Sequence, residues 1–161
     1  MNSLFQIHSD IDARVETISG EHSHWLCHKG CDGCCRRLAE IPKLTGAEWA
    51  LLREGLSALP AAVQLDIRQK IEALREQVTR PLVCPMLNQA EGVCLVYAHR
   101  PVACRTYGFY QQRDKGLYCQ DIETQVAAGE WVTVVWGNHE VIDSRLKALG
   151  DSRDLTEWIT L

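Results

Sequence analysis

Four cysteines, Cys27, Cys31, Cys34 and Cys35, fall within nine residues as C-x3-C-x2-C-C. A loop this short can bring three or four sulfurs within a few ångströms of one another, which is chelation geometry. Bare thiolates repel, whereas a soft divalent metal or an iron–sulfur core neutralises them and fixes the loop. In an extended segment the adjacent side chains of Cys34 and Cys35 point to opposite faces, so one tetrahedral site does not readily use both. Either the pair serves two metals, or one member is a packing or redox cysteine. Cys84, Cys94 and Cys104 form a second set with nine residues between successive members. Cys119 stands at the start of an expected helix, where a buried small hydrophobe is as good a reading as a ligand. Eight thiols suffice for two four-sulfur sites.

The charges beside these cysteines agree with thiolate chemistry. Residues 27–43 carry Lys29, Arg36, Arg37 and Lys43 against Asp32 and Glu40, and residues 84–105 carry Arg100 and Arg105 against Glu91. Both stretches are therefore net positive in a chain whose formal charge is -4. Cations there favour the thiolate form and offset the charge of a tetrathiolate site. Tyr97, Arg100 and Arg105 are candidates to hydrogen-bond the sulfurs or to receive an anionic group. The plainer alternatives are that Tyr97 packs, Arg100 pairs with a carboxylate, and Arg36 and Arg37 are solvated. His22, His24, His28 and His99 lie beside cysteines, but with eight thiols present they are assigned surface or supporting places.

The elements that must position these groups are mainly helical. Ser9 is a candidate cap for a first helix carrying Ile11, Val15 and Ile18 and ended by Ser19-Gly20. Residues 21–37 need no regular element. Thr45-Gly46-Ala47-Glu48 is a capping box, after which Trp49, Leu52, Leu56 and Leu59 follow one helical face to Pro60. Val63, Ile67, Ile71, Leu74 and Val78 continue the period until Pro81, with Asp66/Lys70 and Arg68/Glu72 as exposed pairs. Periodicity then disappears until Tyr110, apart from a short strand expected over Val93–Tyr97, and a loop of that length is normally either functional or held by something other than a core, such as a metal. A helix is expected from about Cys119 to Ala128, and Trp131–Trp136 alternates like a strand. Asn138 then caps a last helix with Ile142, Leu146 and Leu149 inside and Gly150 as its stop. His139 is expected on that helix's surface. The five tryptophans are expected in the core.

Composition excludes several classes. The 161 residues are 46% hydrophobic and 24% charged, which is ordinary globular composition and fits a single domain over residues 1–161. No apolar run approaches the roughly 18 residues that cross a bilayer, and the start lacks a signal-like pattern. A cytoplasmic location with no membrane partner is expected. The acidic balance argues against nucleic acid as partner, since no positive field exists to release counterions. No Ser/His/Asp set, paired-carboxylate arrangement or phosphate loop rises above chance.

The string C-H-K-G-C-D-G-C-C, then C-P-M-L, then G-V-C-L-V-Y-A-H-R-P-V-A-C-R, resembles the CxxCxxCC zinc- or iron-chelating domain family, the YkgJ-like cysteine-cluster proteins. Gly92, Cys94, Tyr97, Arg100, Pro101, Cys104 and Arg105 each stand where its G-x-C-x-x-Y-x-x-R-P-x-x-C-R pattern expects them, while three residues rather than two separate Cys27 from Cys31. What the resemblance implies is chelation of zinc or iron by these cysteines, a 4Fe-4S cluster being one form the iron takes. Flagellin lysine-N-methylases carry a similar cluster, but this chain shows no glycine-rich nucleotide loop after a strand.

The expectation is thus an α+β, mainly α domain whose four or five helices and short strands support two cysteine-rich loops around a metal centre. Cys27, Cys31, Cys34, Cys35, Cys84, Cys94, Cys104 and Cys119 are its candidate ligands. The alternatives are a cluster-dependent enzyme, protein-modifying or radical S-adenosylmethionine-like from the C-x3-C-x2-C spacing, and a thiol/disulfide redox protein. The first alternative has a chain too short for a full barrel, and the second lacks the strand–helix context of redox motifs.

Overall fold

A computed structural model describes residues 3–113 and 119–160. In chain order its helices are α1 (Leu4–Glu21), α2 (Gly33–Arg36), α3 (Gly46–Ser57), α4 (Ala61–Ala73), α5 (Val102–Thr106), α6 (Gln120–Ala127), α7 (His139–Lys147) and α8 (Leu155–Trp158). The strands are β1 (Lys43–Thr45), β2 (Leu87–Asn88), β3 (Val93–Cys94), β4 (Tyr110–Gln111), β5 (Gly137–Asn138) and β6 (Ser152–Asp154), and one 3-10 turn spans Tyr97–His99. The class is α+β, mainly α, as the sequence implies. Eight helices stand among the described residues instead of four or five. The surplus arises because α2, α5 and α8 are only 4, 5 and 4 residues long, too short to show a 3.6-residue period.

The chain divides into two units, residues 1–28 with 102–149, and residues 29–101 with 150–161. In the first, α1 lies against α5 and α7. It begins at Leu4, not after Ser9, because the Ser3 hydroxyl accepts from the Gln6 N–H at 3.1 Å and Ile7 extends the apolar face back from Ile11. The core of this unit gathers Ile7, Ile11, Ile18, Trp25, Val102, Phe109, Tyr110, Ile122 and Ile142. Helix α6 runs close to expectation, with Cys119 at its N-cap. Residues 131–136 do not form the expected strand. Trp131 adopts φ 60°, its indole N–H donates to Gln125 Oε1 at 2.7 Å, and its ring meets His22 and Trp25, so ring packing overrides the alternation. The strand is β5, paired in parallel with β4, where Gly137 leaves room for the Tyr110 ring. Asn138 caps α7 by accepting from the Val141 N–H. Its Asp143 lies 3.2 Å from His139, an i,i+4 neighbour that is half-buried, not on the open surface.

The second unit is built on α3 and α4. Thr45 and Glu48 form the expected capping box, fully buried, with the Thr45 N–H donating to Glu48 at 2.8 Å. Trp49, Leu52, Leu56, Ile67 and Ile71 then close over Leu44, Met86, Val96 and Leu155. Helix α4 ends at Ala73, so Val78 lies beyond it and is 89% exposed. Strand β1 pairs antiparallel with β6, which delivers α8. Trp158 stacks on Trp49 and donates to the Leu44 carbonyl at 2.8 Å, so a turn beyond the last expected helix completes this core. The pairs Asp66–Lys70 and Arg68–Glu72 form as expected, at 2.7 and 3.4 Å.

Candidate metal centre

Five of the eight cysteines, Cys31, Cys34, Cys35, Cys84 and Cys94, belong to the second unit, and Cys27, Cys104 and Cys119 to the first. Within the second unit the backbone draws four together. Leu38 and Leu82 exchange hydrogen bonds at 2.9 and 2.8 Å, and the Cys84 N–H donates to the Cys35 carbonyl at 2.7 Å. Cys84 then turns into β2, its carbonyl accepting from the Leu87 N–H. Leu87 pairs with Cys94 across the β2–β3 hairpin. Cys34 and Cys35 occupy the middle of α2. The premise of an extended segment therefore fails: on a helix neighbouring side chains diverge by only about 100°, and both thiols can serve one side.

The electrostatics register this proximity. The Cys34 thiol is pushed up by its hydrogen bond with Cys35 and then by burial. At Cys35 the bond with Cys34 lowers the value, but its hydrogen bond with Cys84, burial and the Cys84 and Cys94 sulfurs outweigh that and push it up to about 12. Burial raises Cys94, against the Val96 backbone and the Arg100 guanidinium, which lower it, and the Cys34 sulfur adds to the rise. All four thiols are half-buried, and Cys84 and Cys94 lean on the unit's apolar core. Among the described residues no three or more His, Cys, Asp or Glu side chains are drawn in to metal-holding distances.

Cations flank this quartet. Arg100 donates from Nε to the Tyr97 carbonyl at 2.9 Å and lays its guanidinium 3.7 Å from the Tyr97 ring centre, over which Lys29 also sits at 5.2 Å. Cys31 is exposed, in the turn after Gly30, whose φ is +97°. His99 packs its ring against Gly55 of α3, where any side chain would collide with it.

In the first unit Cys27 donates to the Tyr107 carbonyl at 3.3 Å and, with Cys119, packs against the apolar core. Cys104 lies on α5 beside Arg105, whose guanidinium approaches Asp12 of α1 at 3.4 Å. His22 stands among the rings of Trp25 and Trp131.

The sequence placed Arg36 among the cations beside the cysteines or on the solvated surface, not as a link between elements. Its Nε donates to Asp32 Oδ2 at 2.5 Å and its Nη2 to the Gln89 carbonyl at 2.8 Å, joining α2 to the loop of the β2–β3 hairpin. The signal was present as an i,i+4 Asp/Arg pair, hidden because the helix carrying it is a single turn.

A family model named CxxCxxCC, described as "Putative zinc- or iron-chelating domain", matches residues 26–124, well over half of the chain. The chain belongs to this family. The stretch matched to the CxxCxxCC domain contains every cysteine of the sequence and crosses both units. No curated protein and no solved structure matches the chain. No helix among the described residues is long and apolar enough to cross a membrane.

The donor chemistry of the quartet fits the metals of the CxxCxxCC description. Four sulfur ligands beside cationic groups suit zinc or iron, which thiolates bind in preference to hard cations.

Proposed function

We propose that Cys34, Cys35, Cys84 and Cys94 are the thiolate ligands of a single metal ion, zinc or iron, and that the chain works as a metal-binding protein. The observation that carries this reading is the backbone that gathers them: Cys34 and Cys35 share one helical turn, the Cys84 N–H donates to the Cys35 carbonyl at 2.7 Å, and Cys94 pairs with Leu87 in the hairpin that Cys84 enters. Four thiolates complete the tetrahedral set of one ion, so the mononuclear form needs neither sulfide nor further iron.

When bound, the ion neutralises four thiolates and ties a one-turn helix to a two-residue-stranded hairpin. The chain's own groups prepare this. Arg100, beside Cys94, favours loss of that thiol's proton. The Cys35–Cys84 backbone bond sets two ligand-bearing segments side by side. Cys27, whose thiol donates to the Tyr107 carbonyl, and Cys119 pack against the core of the other unit. We also take the chain to act as one cysteine-cluster domain, on the support of a family match running through both units, and in a reducing compartment such as the cytoplasm, where eight free cysteines persist.

The test is elemental analysis of the full chain purified anaerobically with reductant, with acid-labile sulfide measured on the same sample. About one zinc or iron per chain without sulfide is expected. Sulfide in proportion to iron would replace this reading by a cluster. No metal above background would end it.

A further inference from the structure

The quartet sits on two pieces of chain too short to hold their own geometry, a four-residue helix and a hairpin of two-residue strands. Something must fix one against the other. The Cys84–Cys35 backbone bond joins them at one end, and Asp32 and Arg36 reach the far end of the hairpin. Arg36 spans the gap with two hydrogen bonds, Nε to Asp32 Oδ2 at 2.5 Å and Nη2 to the Gln89 carbonyl at 2.8 Å. The Asp32 carboxylate in turn lies against Gly92: a Cβ there would stand 3.1 Å from Asp32 Oδ2. Gly92 has φ +69° and closes the hairpin loop by donating to the Asn88 carbonyl at 2.8 Å. Val93 and Cys94 follow at once. One ion pair, 39% and 30% exposed, thus touches both ends of the loop that leads into a candidate ligand, while its own helix carries two more.

We propose that Asp32 and Arg36 are positioning residues for the metal centre, a staple that holds the Cys34–Cys35 turn in register with the hairpin bearing Cys94, with Gly92 as the surface it closes on. An exposed pair of this kind contributes little to folding by itself, because solvent screens it and ordering two side chains opposes it. Its value lies in aim. Outer partners that orient metal ligands set affinity by about 10- to 100-fold.

The proposal rests on the four-thiolate reading, and the two fail differently. The experiment is chelator competition for zinc and the visible ligand-field spectrum of cobalt(II) on the full chain, for the native protein, Cys35→Ser, Arg36→Met and Asp32→Asn. Arg36→Met keeps the apolar stem and removes both hydrogen bonds. It is expected to weaken zinc binding about 10- to 100-fold and to alter the tetrahedral cobalt bands, with the metal-free melting curve unchanged. Asp32→Asn, which keeps shape and removes charge, is expected to lose several-fold, and it decides the matter should Arg36→Met not fold. If Cys35→Ser abolishes binding while both staple variants bind zinc natively with native cobalt bands, the staple is wrong and the centre stands. If Cys35→Ser binds as the native chain does, the four-thiolate reading is wrong and the staple falls with it.

Discussion

Cys35 is the residue on which the candidate centre turns, because it adjoins Cys34 on α2 and its carbonyl receives the Cys84 N–H. Cys31, three residues before Cys34, has no comparable setting and is exposed. Replacing Cys35 by Ser is therefore expected to remove the bound metal, and replacing Cys31 by Ser to leave stoichiometry unchanged and affinity within a few-fold. Metal content of the two variants, purified side by side, checks this. Loss in both would bring Cys31 into the ligand set. The raised thiols also fix the sign of the pH dependence. Cys34, Cys35 and Cys94 hold their protons at neutral pH, with Cys35 pushed up to about 12, so an incoming ion must displace them. Apparent zinc affinity is expected to rise with pH between 6 and 8, with proton release seen as a buffer-dependent binding enthalpy. An affinity flat across that range would mean that the ligands are not these thiols.

At the scale of elements, the capping box is the clearest case of local sequence writing its own structure. Thr45 and Glu48 are both buried and bond each other reciprocally at the head of α3, whose Leu52 is fully buried four residues on. Thr45→Ala removes an acceptor for the Glu48 N–H and leaves a buried carboxylate short of a donor, so a loss of about 1–2 kcal/mol is expected. Urea unfolding reads it, and an unchanged midpoint would show that another donor takes the hydroxyl's place. Helices α3 and α4 were legible because each spans three turns or more and repeats its apolar face. The cysteines and their second-set spacing were legible as chemistry. The arrangement of Cys34 and Cys35 was not, since a single helical turn leaves no period and adjacency alone suggests opposite faces. Trp131–Trp136 misled for the converse reason: alternation was present, but the indole of Trp131 found Gln125 and two rings, and held a backbone conformation no strand allows. Ser3 was overlooked as a cap because Ser9 also precedes an apolar repeat.

For the whole molecule, the division into two units gives metal binding a regional signature. The quartet and its supports, residues 31–38 and 82–96, lie in one unit, held by few hydrogen bonds and short elements. Backbone of that kind opens locally at little cost. A ligand that binds only the closed form raises the free energy of opening by RT ln(1 + [L]/Kd), about 2.7 kcal/mol at one hundred times Kd. Amide hydrogen exchange with and without saturating zinc should therefore slow most strongly in residues 31–38 and 82–96, by about 100-fold at that loading. The long helices α3 and α4, already anchored by Leu52, Ile67 and Ile71, should change less. Equal protection around Cys27, Cys104 and Cys119 would enlarge the ligand set to the other unit's sulfurs. Protection confined to residues 31–38 and 82–96 would assign the binding energy to the four thiols that the second unit gathers.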